Sequence, residues 1–530
     1  MRYGRRPRFK AMVMSSAAAY ADAVAFIFGN ANYSLNPLPQ QQRWQRFTQL
    51  LSAIGNPHLG LRVVHIAGTN GKGTTSAIVD AMLRASGARV GLFTSPHLHS
   101  WRERIRLDGA LVSKDEVIAA WEQLRPHVQV DVPFTPFEKL TALALMCFRR
   151  ASVEWAVLET GLGGRFDCTN HVPEPAVVGL CRVGIDHVAV LGNSLEQIAA
   201  HKAGIIKRRV PAFAVPQTAE ARRVFEVTAM ELDAPLSFVG ADHPLAAHAV
   251  ALACGACGGR TGDDAAMLPT WLRPAHQLEN FALAAAMVAS LAERGLLHTL
   301  APASGPAVVG AAQAAGLPDN LLRAALATAW PGRTELVAER AERAGGGRAA
   351  KVIFDVAHNE DAVRGLLHNL PRIVRAAAAG AGGGQGSNPR VELIFGANRD
   401  KDLRTMLKMI GTLVIPDADA AAHGHAAAAR PNVLAIHLVE SPHPKACPSS
   451  ELAAIARDAC PGAPWCTQHA TMADALAAAV SGERAELDCT VAFGSVFVVA
   501  DARAQLARLR PDMFSSSDWA FEQAGEPPIV

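Results

Sequence analysis

The segment Gly68-Thr-Asn-Gly-Lys-Gly-Thr74 combines closely spaced glycines with a lysine and hydroxyl side chains. Glycines let backbone N–H groups approach an anion, and a lysine can neutralise the charge of a polyphosphate. The chemistry such a loop serves is nucleotide binding, with Gly71, Gly73 and Thr74 cradling phosphate oxygens and Lys72 aimed at the β- and γ-phosphates. The spacing departs from the commonest phosphate loop, because Lys72 is not followed directly by Ser or Thr and Ile66 stands where the first glycine belongs. A generic glycine-rich turn is the competing reading. What separates the two is whether a strand precedes the loop and a helix follows it.

Both are expected. Arg62–Ala67 reads as a short buried strand, and the Ala/Leu-rich pattern from about Thr74 to Ser86 reads as a helix. Trp155–Leu158, Ala176–Cys181, Lys351–Phe354, Val391–Phe395 and Thr490–Phe493 repeat the β-branched strand pattern between helical stretches. Alternating strands and helices imply α/β layers on parallel sheets, with ligands at the carboxyl ends of the strands. A chain of 530 residues exceeds one typical core. Trp330-Pro-Gly-Arg333 breaks the preceding helix. We therefore expect an N-terminal extension over 1–43, a first domain over 44–330, a second over 334–510 and a tail over 511–530. Ala301–Gly316, Ala341–Ala350, Ala376–Pro389 and Asp417–Arg430 are rich in Ala, Gly or Pro and read as surface insertions.

Lys+Arg 51 against Asp+Glu 48 is too balanced to argue for nucleic acid. No apolar run reaches the roughly 18 residues that span a bilayer. The scattered cysteines suit reduced thiols in an intracellular protein. Cys254 and Cys257 form one CxxC without a second pair, which reads as a Gly/Ala/Cys-rich loop rather than a metal site, and His423 and His425 read as solvated loop histidines. Arg2, Arg5, Arg6, Arg8 and Lys10 precede the first acidic residue, Asp22, as in an organelle transit peptide or a plain basic tail. The compartment is thus cytoplasmic or mitochondrial.

The phosphate loop resembles that of the Mur-ligase superfamily, in its folylpolyglutamate synthase/dihydrofolate synthase branch. The resemblance continues in order through Thr94-Ser-Pro-His-Leu98, Glu103-Arg-Ile105, the run from Glu159 to Asn170, Ile185-Asp-His187 and Lys202-Ala-Gly-Ile205. Pro331-Gly-Arg333, Phe354-Asp-Val-Ala-His-Asn359 and Gly494-Ser495 extend it into the second half. It implies a Mur-ligase-like phosphate-loop ATPase domain with a parallel central sheet, followed by a smaller Rossmann-like α/β domain. The implied reaction is ATP-dependent joining of L-glutamate to dihydropteroate or to the glutamate tail of tetrahydrofolate, through an acyl phosphate, by a monomer.

The resemblance also implies two Mg2+ ions, with K+ as an optional further ion. Ser95 and Glu159 would bind one Mg2+, and Glu159 and His187 the other. Lys202 would be carbamylated, supplying a negative oxygen in place of an ammonium. Asn280 would hold the adenine, Arg333 the phosphates and Asp355 the ribose, with His358 beside it. Thr135, Pro136, Phe137 and Glu138 match one pterin-site segment, and Phe166, Asp167 and Cys168 match another. An aromatic face can stack on a pterin, and a carboxylate can pair with its amino-pyrimidine edge. Members that accept dihydropteroate usually have Leu and Ala where this chain has Phe166 and Cys168. A cell-wall amino-acid ligase of the same superfamily and a non-catalytic nucleotide-binding homologue are the competing readings. The first would need an N-terminal nucleotide-sugar domain, whereas the phosphate loop here begins at Gly68. The second would be expected to have lost one of Ser95, Glu159, His187 and Lys202, and all are present.

Overall fold

The computed structural model describes residues 16–29, 38–128, 134–255, 268–297, 317–338, 351–378, 389–413, 431–460, 466–480 and 487–514. The basic segment before residue 16, Cys257, the Cys254 side chain, His423, His425 and all or most of the four insertions lie outside those residues. Ala376–Ala378 differ from their reading as part of an insertion. They complete the helix Glu360–Ala378, where Ala377 is buried in the core and its carbonyl accepts from the Lys351 ammonium.

Among the described residues the first sheet has the strands β1 (Arg62–Ala67), β2 (Val90–Phe93), β3 (Ile105–Leu107), β4 (Ala110–Leu111), β5 (Trp155–Glu159), β6 (Val177–Leu180), β7 (Ala212–Ala214) and β8 (Leu236–Phe238). Their spatial order is β4-β3-β2-β5-β1-β6-β7-β8, parallel from β2 to β8 with an antiparallel β3–β4 edge. Apart from the exposed Arg62 that opens β1, the central strands β1, β5 and β6 are buried because helices cover both faces. Side chains along β1 alternate accordingly: Val64 and Ile66 join the core that holds Ile78 and Phe281, and Val63 joins the core that holds Leu140 and Phe148. β1 lies between β5 and β6, so chain connections leave it in both directions and open a crevice at its carboxyl end.

The second sheet has β9 (Glu335–Ala338), β10 (Lys351–Asp355), β11 (Arg390–Phe395), β12 (Asn432–Leu438), β13 (Cys466–Gln468) and β14 (Cys489–Phe493). Its order is β13-β12-β11-β14-β10-β9, parallel except for β9. The two sheets thus carry separate cores on either side of the Pro331–Arg333 link. No helix among the described residues is long and apolar enough to cross a membrane.

The described part of the N-terminal extension packs on the first domain. Helix Ser16–Phe28 buries Ala23, Val24 and Ile27 in the same core as Phe47, Trp121 and Phe148. Lys139, itself 1% exposed, donates to the carbonyl of Phe26 at 2.8 Å and so caps that helix's last turn. An Ala-rich helix seals an apolar face that helices Lys114–Val128 and Pro136–Arg150 would otherwise expose. Ile27→Ala should therefore lower the stability of the first domain by about 2–5 kcal/mol in urea unfolding. A change under about 0.5 kcal/mol would mean that the helix does not seal this core.

Candidate active site

β1 ends at Ala67 and the chain turns sharply into helix Lys72–Ala85. Gly71 has φ 94°, and a Cβ there would stand 2.3 Å from Asn280 Oδ1, so both its backbone conformation and its space require glycine. No side chain caps the helix start, which leaves first-turn N–H groups free for an anion. Asn280 is fixed by donating from Nδ2 to Gln277 Oε1 at 3.0 Å. Lys72 donates to the Thr69 carbonyl at 3.1 Å and stands 4.0 Å from Glu159 Oε1. Thr74 is buried, and its Oγ1 has no hydrogen-bond partner among the described residues.

Glu159 ends β5 and is 3% exposed. Burial pushes its carboxyl pKa up, against the opposing pull of Lys72, the Ser95 N–H and Arg333. The Ser95 N–H donates to Glu159 Oε2 at 2.9 Å. The loop that carries Ser95 is held in turn by Glu103, whose carboxylate accepts from the N–H groups of Leu98, His99 and Ser100. Lys202, on helix Leu195–Ala203, is also 3% exposed and donates to the Gly68 carbonyl at 2.8 Å. Burial, and next the charge of Lys72, lower its pKa to about 7. His187 follows β6 with φ 50°, and burial lowers its imidazole pKa.

Among the described residues no three His, Cys, Asp or Glu side chains converge as a ready-made metal site. The oxygen donors that do gather beside the phosphate loop are the Glu159 carboxylate, the Ser95 hydroxyl and the unpartnered Thr74 hydroxyl. This set fits a hard dication that completes its shell with oxygens of a nucleotide or of a modified lysine.

Arg333 is half-buried in the cavity wall, and burial lowers its pKa while Asp355 and Glu159 oppose that fall. Asp355, at the end of β10, accepts from Thr334 N and Oγ1 at 2.9 and 3.0 Å and from Ala357 N at 2.9 Å. His358 donates from Nδ1 to the Val356 carbonyl at 2.8 Å, leaving Nε2 3.6 Å from Asp186 Oδ2. Burial works against ionisation of Asp186. His358, by hydrogen bond and charge, and then Lys401 and His187 outweigh it and hold the carboxyl well below the usual range.

The pterin segments also hold their own backbone. Phe137 lines the cavity as expected, with Gly161 so close that a Cβ would meet its ring at 2.4 Å. Glu138, however, closes a capping box at the start of helix Pro136–Arg150: its carboxylate accepts from Thr135 N at 2.6 Å, while Thr135 Oγ1 accepts from Glu138 N at 3.2 Å. Asp167 accepts from Leu162 N at 2.9 Å, and from Thr169 N and Oγ1 at 3.0 and 2.6 Å, while burial pushes its pKa up. Both carboxylates expected at a pterin edge therefore organise their own backbone. Pro136 occupies the first helical turn and does not line the cavity.

Sequence reasoning missed an aromatic wall. Trp44 stacks on His171 at 3.7 Å and 21°, and Phe166 approaches Trp44 edge-on at 6.2 Å. Trp44 lies in the helix Gln40–Ala53, whose sequence carries no motif. Only the fold brings it to the loop of Phe166 and Cys168.

One cavity of about 1140 Å3 gathers the phosphate loop, Ser95, Glu159, His187, Lys202, Asn280, Arg333, Asp355, His358, the aromatic wall, Thr135, Glu138, Asp167 and Cys168. Both domains line it. This architecture is that of the two-domain ATP-dependent ligases that activate a carboxylate for attack by an amine. No family model matches the chain. It is 32% identical over 405 residues to the dihydrofolate synthase/folylpolyglutamate synthase of Bacillus subtilis (strain 168), a match that covers 74% of this chain and 83% of that protein. The chain belongs to that family, and the cell-wall and non-catalytic readings are set aside.

The fold is also found in solved structures. A folylpolyglutamate synthase of Mycobacterium tuberculosis complexed with ADP superposes with a TM-score of 0.68 at 23% identity, covering 92% of this chain and 98% of that one. A bifunctional folylpolyglutamate synthase/dihydrofolate synthase of Yersinia pestis, complexed with AMPPNP and Mn ion, gives 0.65 at 24% identity, over 94% and 100%.

Because Asp167 ties the Leu162–Thr169 loop, Asp167→Ala should lower kcat/KM by roughly ten- to a hundredfold for dihydropteroate and for tetrahydrofolate alike. Parallel kinetics on both substrates check this. A loss confined to dihydropteroate would restore a direct contact with the pterin.

Proposed function

We propose that this chain uses ATP to join L-glutamate to dihydropteroate, to the glutamate tail of tetrahydrofolate, or to both. The observation that carries the reading is a cavity with a phosphate loop, Lys72 and the buried Glu159 and Lys202 at one end and an aromatic wall at the other. A carboxylate oxygen attacks the γ-phosphorus of ATP, forming a C–O–P link as the bond to ADP breaks. The glutamate nitrogen then attacks the acyl carbon, phosphate leaves with the bonding pair, and the amine's proton passes to solvent. Lys72, Arg333 and the open helix start neutralise the phosphates, Asn280 faces the adenine, and Asp355 and His358 border the ribose. Phe137, Phe166 and Trp44 offer faces to the pterin, with Cys168 and Thr135 beside them. Closing two domains around the cavity keeps water from the acyl phosphate.

The Mn ion and nucleotides in the solved neighbours support divalent-metal use. When bound, two Mg2+ ions, one on Ser95 and Glu159 and one on Glu159, His187 and modified Lys202, would supply charge neutralisation for the transferring phosphoryl group. K+ is a further candidate ion. The proposed molecule is a monomer of the cytoplasm or the mitochondrion, with no nucleic-acid or membrane partner.

Lys202 is proposed to carry a carbamate, formed when its neutral amine attacks carbon dioxide and releases a proton. With a pKa lowered to about 7, the reactive free base predominates above that pH and is lost below it. In 13C-bicarbonate at pH 8 a carbamate resonance should appear, and it should fade as pH drops below about 7. Lys202→Ala should remove the resonance and most activity, with partial recovery in small carboxylates. Fully active enzyme with an unmodified lysine would refute the modification. The function itself is tested by incubating the protein with ATP, glutamate and either folate substrate, then weighing the products. Glutamate-independent release of ADP with no added mass would reject it.

A further inference from the structure

The loop that carries His187 is gripped by the second domain. Asp186 Oδ1 accepts the backbone N–H of His187 at 2.8 Å and also the ammonium of Lys401 at 2.6 Å. Its Oδ2 accepts from Asn359 Nδ2 at 3.0 Å. His187 sits at φ 50°, a left-handed conformation that a non-glycine residue keeps only where its surroundings over-determine it. The bond that holds it there ends on a carboxylate whose other side-chain partners, Lys401, Asn359 and His358, all belong to the second domain.

Asn359 reaches the phosphate loop as well. It donates to Asn70 Oδ1 at 3.1 Å and accepts from Asn70 Nδ2 at 3.3 Å. Asn70 Nδ2 also donates to Asp361 Oδ2 at 3.1 Å, and a Cβ on Gly184 would stand 3.3 Å from Asp361 Cβ. One segment of the second domain therefore touches both the phosphate loop and the His187 loop.

We propose that Asp186 is a positioning residue that couples docking of the second domain, through Lys401 and Asn359, to the placement of His187. The proposal rests on the reading of His187 as part of the metal and phosphate-transfer site. An adhesive interdomain ion pair is the plainer alternative. Lys401 and Asp186 keep only 13% and 7% of their side chains exposed, so the pair is fixed rather than solvated. What the alternative does not account for is the shared oxygen that ties the pair to the backbone of His187. Adhesion alone would leave metal affinity unchanged once both domains are folded.

The test titrates Mn2+ in the presence of AMPPNP, read by electron paramagnetic resonance, on the full chain, on Lys401→Met, on Asp186→Asn and on the double variant. Turnover with both folate substrates is followed in parallel. Each single variant should weaken Mn2+ binding and lower kcat by about tenfold or more, with the KM for ATP within about threefold of the parent. The double variant should be no worse than Asp186→Asn, because both changes break one linkage. Unchanged Mn2+ affinity in Lys401→Met, losses that multiply in the double variant, or a parent chain that binds no Mn2+ with AMPPNP would overturn the coupling. Lys401→Met leaves the His187 loop intact, so it decides the matter even if Asp186→Asn melts early. A parent chain that binds Mn2+ normally but glutamylates neither folate would reject the proposed function, with the coupling then decided by the metal titration.

Discussion

Charge burial at the carboxyl ends of β1 and β5 is the constraint on which the rest of the molecule depends. Glu159 and Lys202 are drawn out of water within one cavity, with Lys72 and Arg333 half-buried beside them. Such a group is stable only if opposite charges and hydrogen-bond donors are placed around it. The structure meets this with the Ser95 N–H on Glu159 and the Gly68 carbonyl on Lys202. Burial first, and then the like charge of Lys72, loosen the proton of Lys202 and lower its pKa to about 7. A polyphosphate entering this cavity meets donors already oriented, so little reorganisation accompanies its binding.

The same constraint explains how much backbone is devoted to holding loops. Glu103 folds the turn that carries Ser95, Glu138 caps the helix behind Phe137, and Asp167 ties the loop between Leu162 and Thr169. Each is a buried carboxylate, and each accepts backbone N–H groups that have no ladder partner. Loops that converge on a reacting centre cannot satisfy their amides with a sheet, so short acidic side chains do it for them. These carboxylates set the shape of the pocket.

The two α/β halves each have their own core, yet the cavity belongs to neither. Phosphate loop, Glu159, His187 and Lys202 come from the first sheet's domain, while Arg333 stands on the link and Asp355, His358 and Lys401 come from the second. A site split this way is complete only when the domains are docked. The contacts at Asp186 and Asn70 are where that docking meets the chemistry.

Local chemistry and period determined a great deal by sequence alone. The phosphate loop, the strands around Val63–Ile66, Ala156–Leu158 and Leu393–Phe395, and the break at Pro331-Gly332 were legible because glycine spacing, apolar runs and helix breakers act over a few residues. The ordered motifs also carried the family. What only the tertiary structure decided is where distant residues meet and what each polar group has left to offer. Trp44 reads as one aromatic residue in a polar helix until the fold stacks it on His171. Residues 16–28 read only as part of an N-terminal extension until Lys139 caps their helix and a core covers it. Asp167 and Glu138 read as ligands for a pterin because sequence shows a carboxylate's charge but not its partners. Hydrogen bonds to neighbouring amides are satisfied in three dimensions, so the loop-holding role of these two carboxylates appears only in the fold.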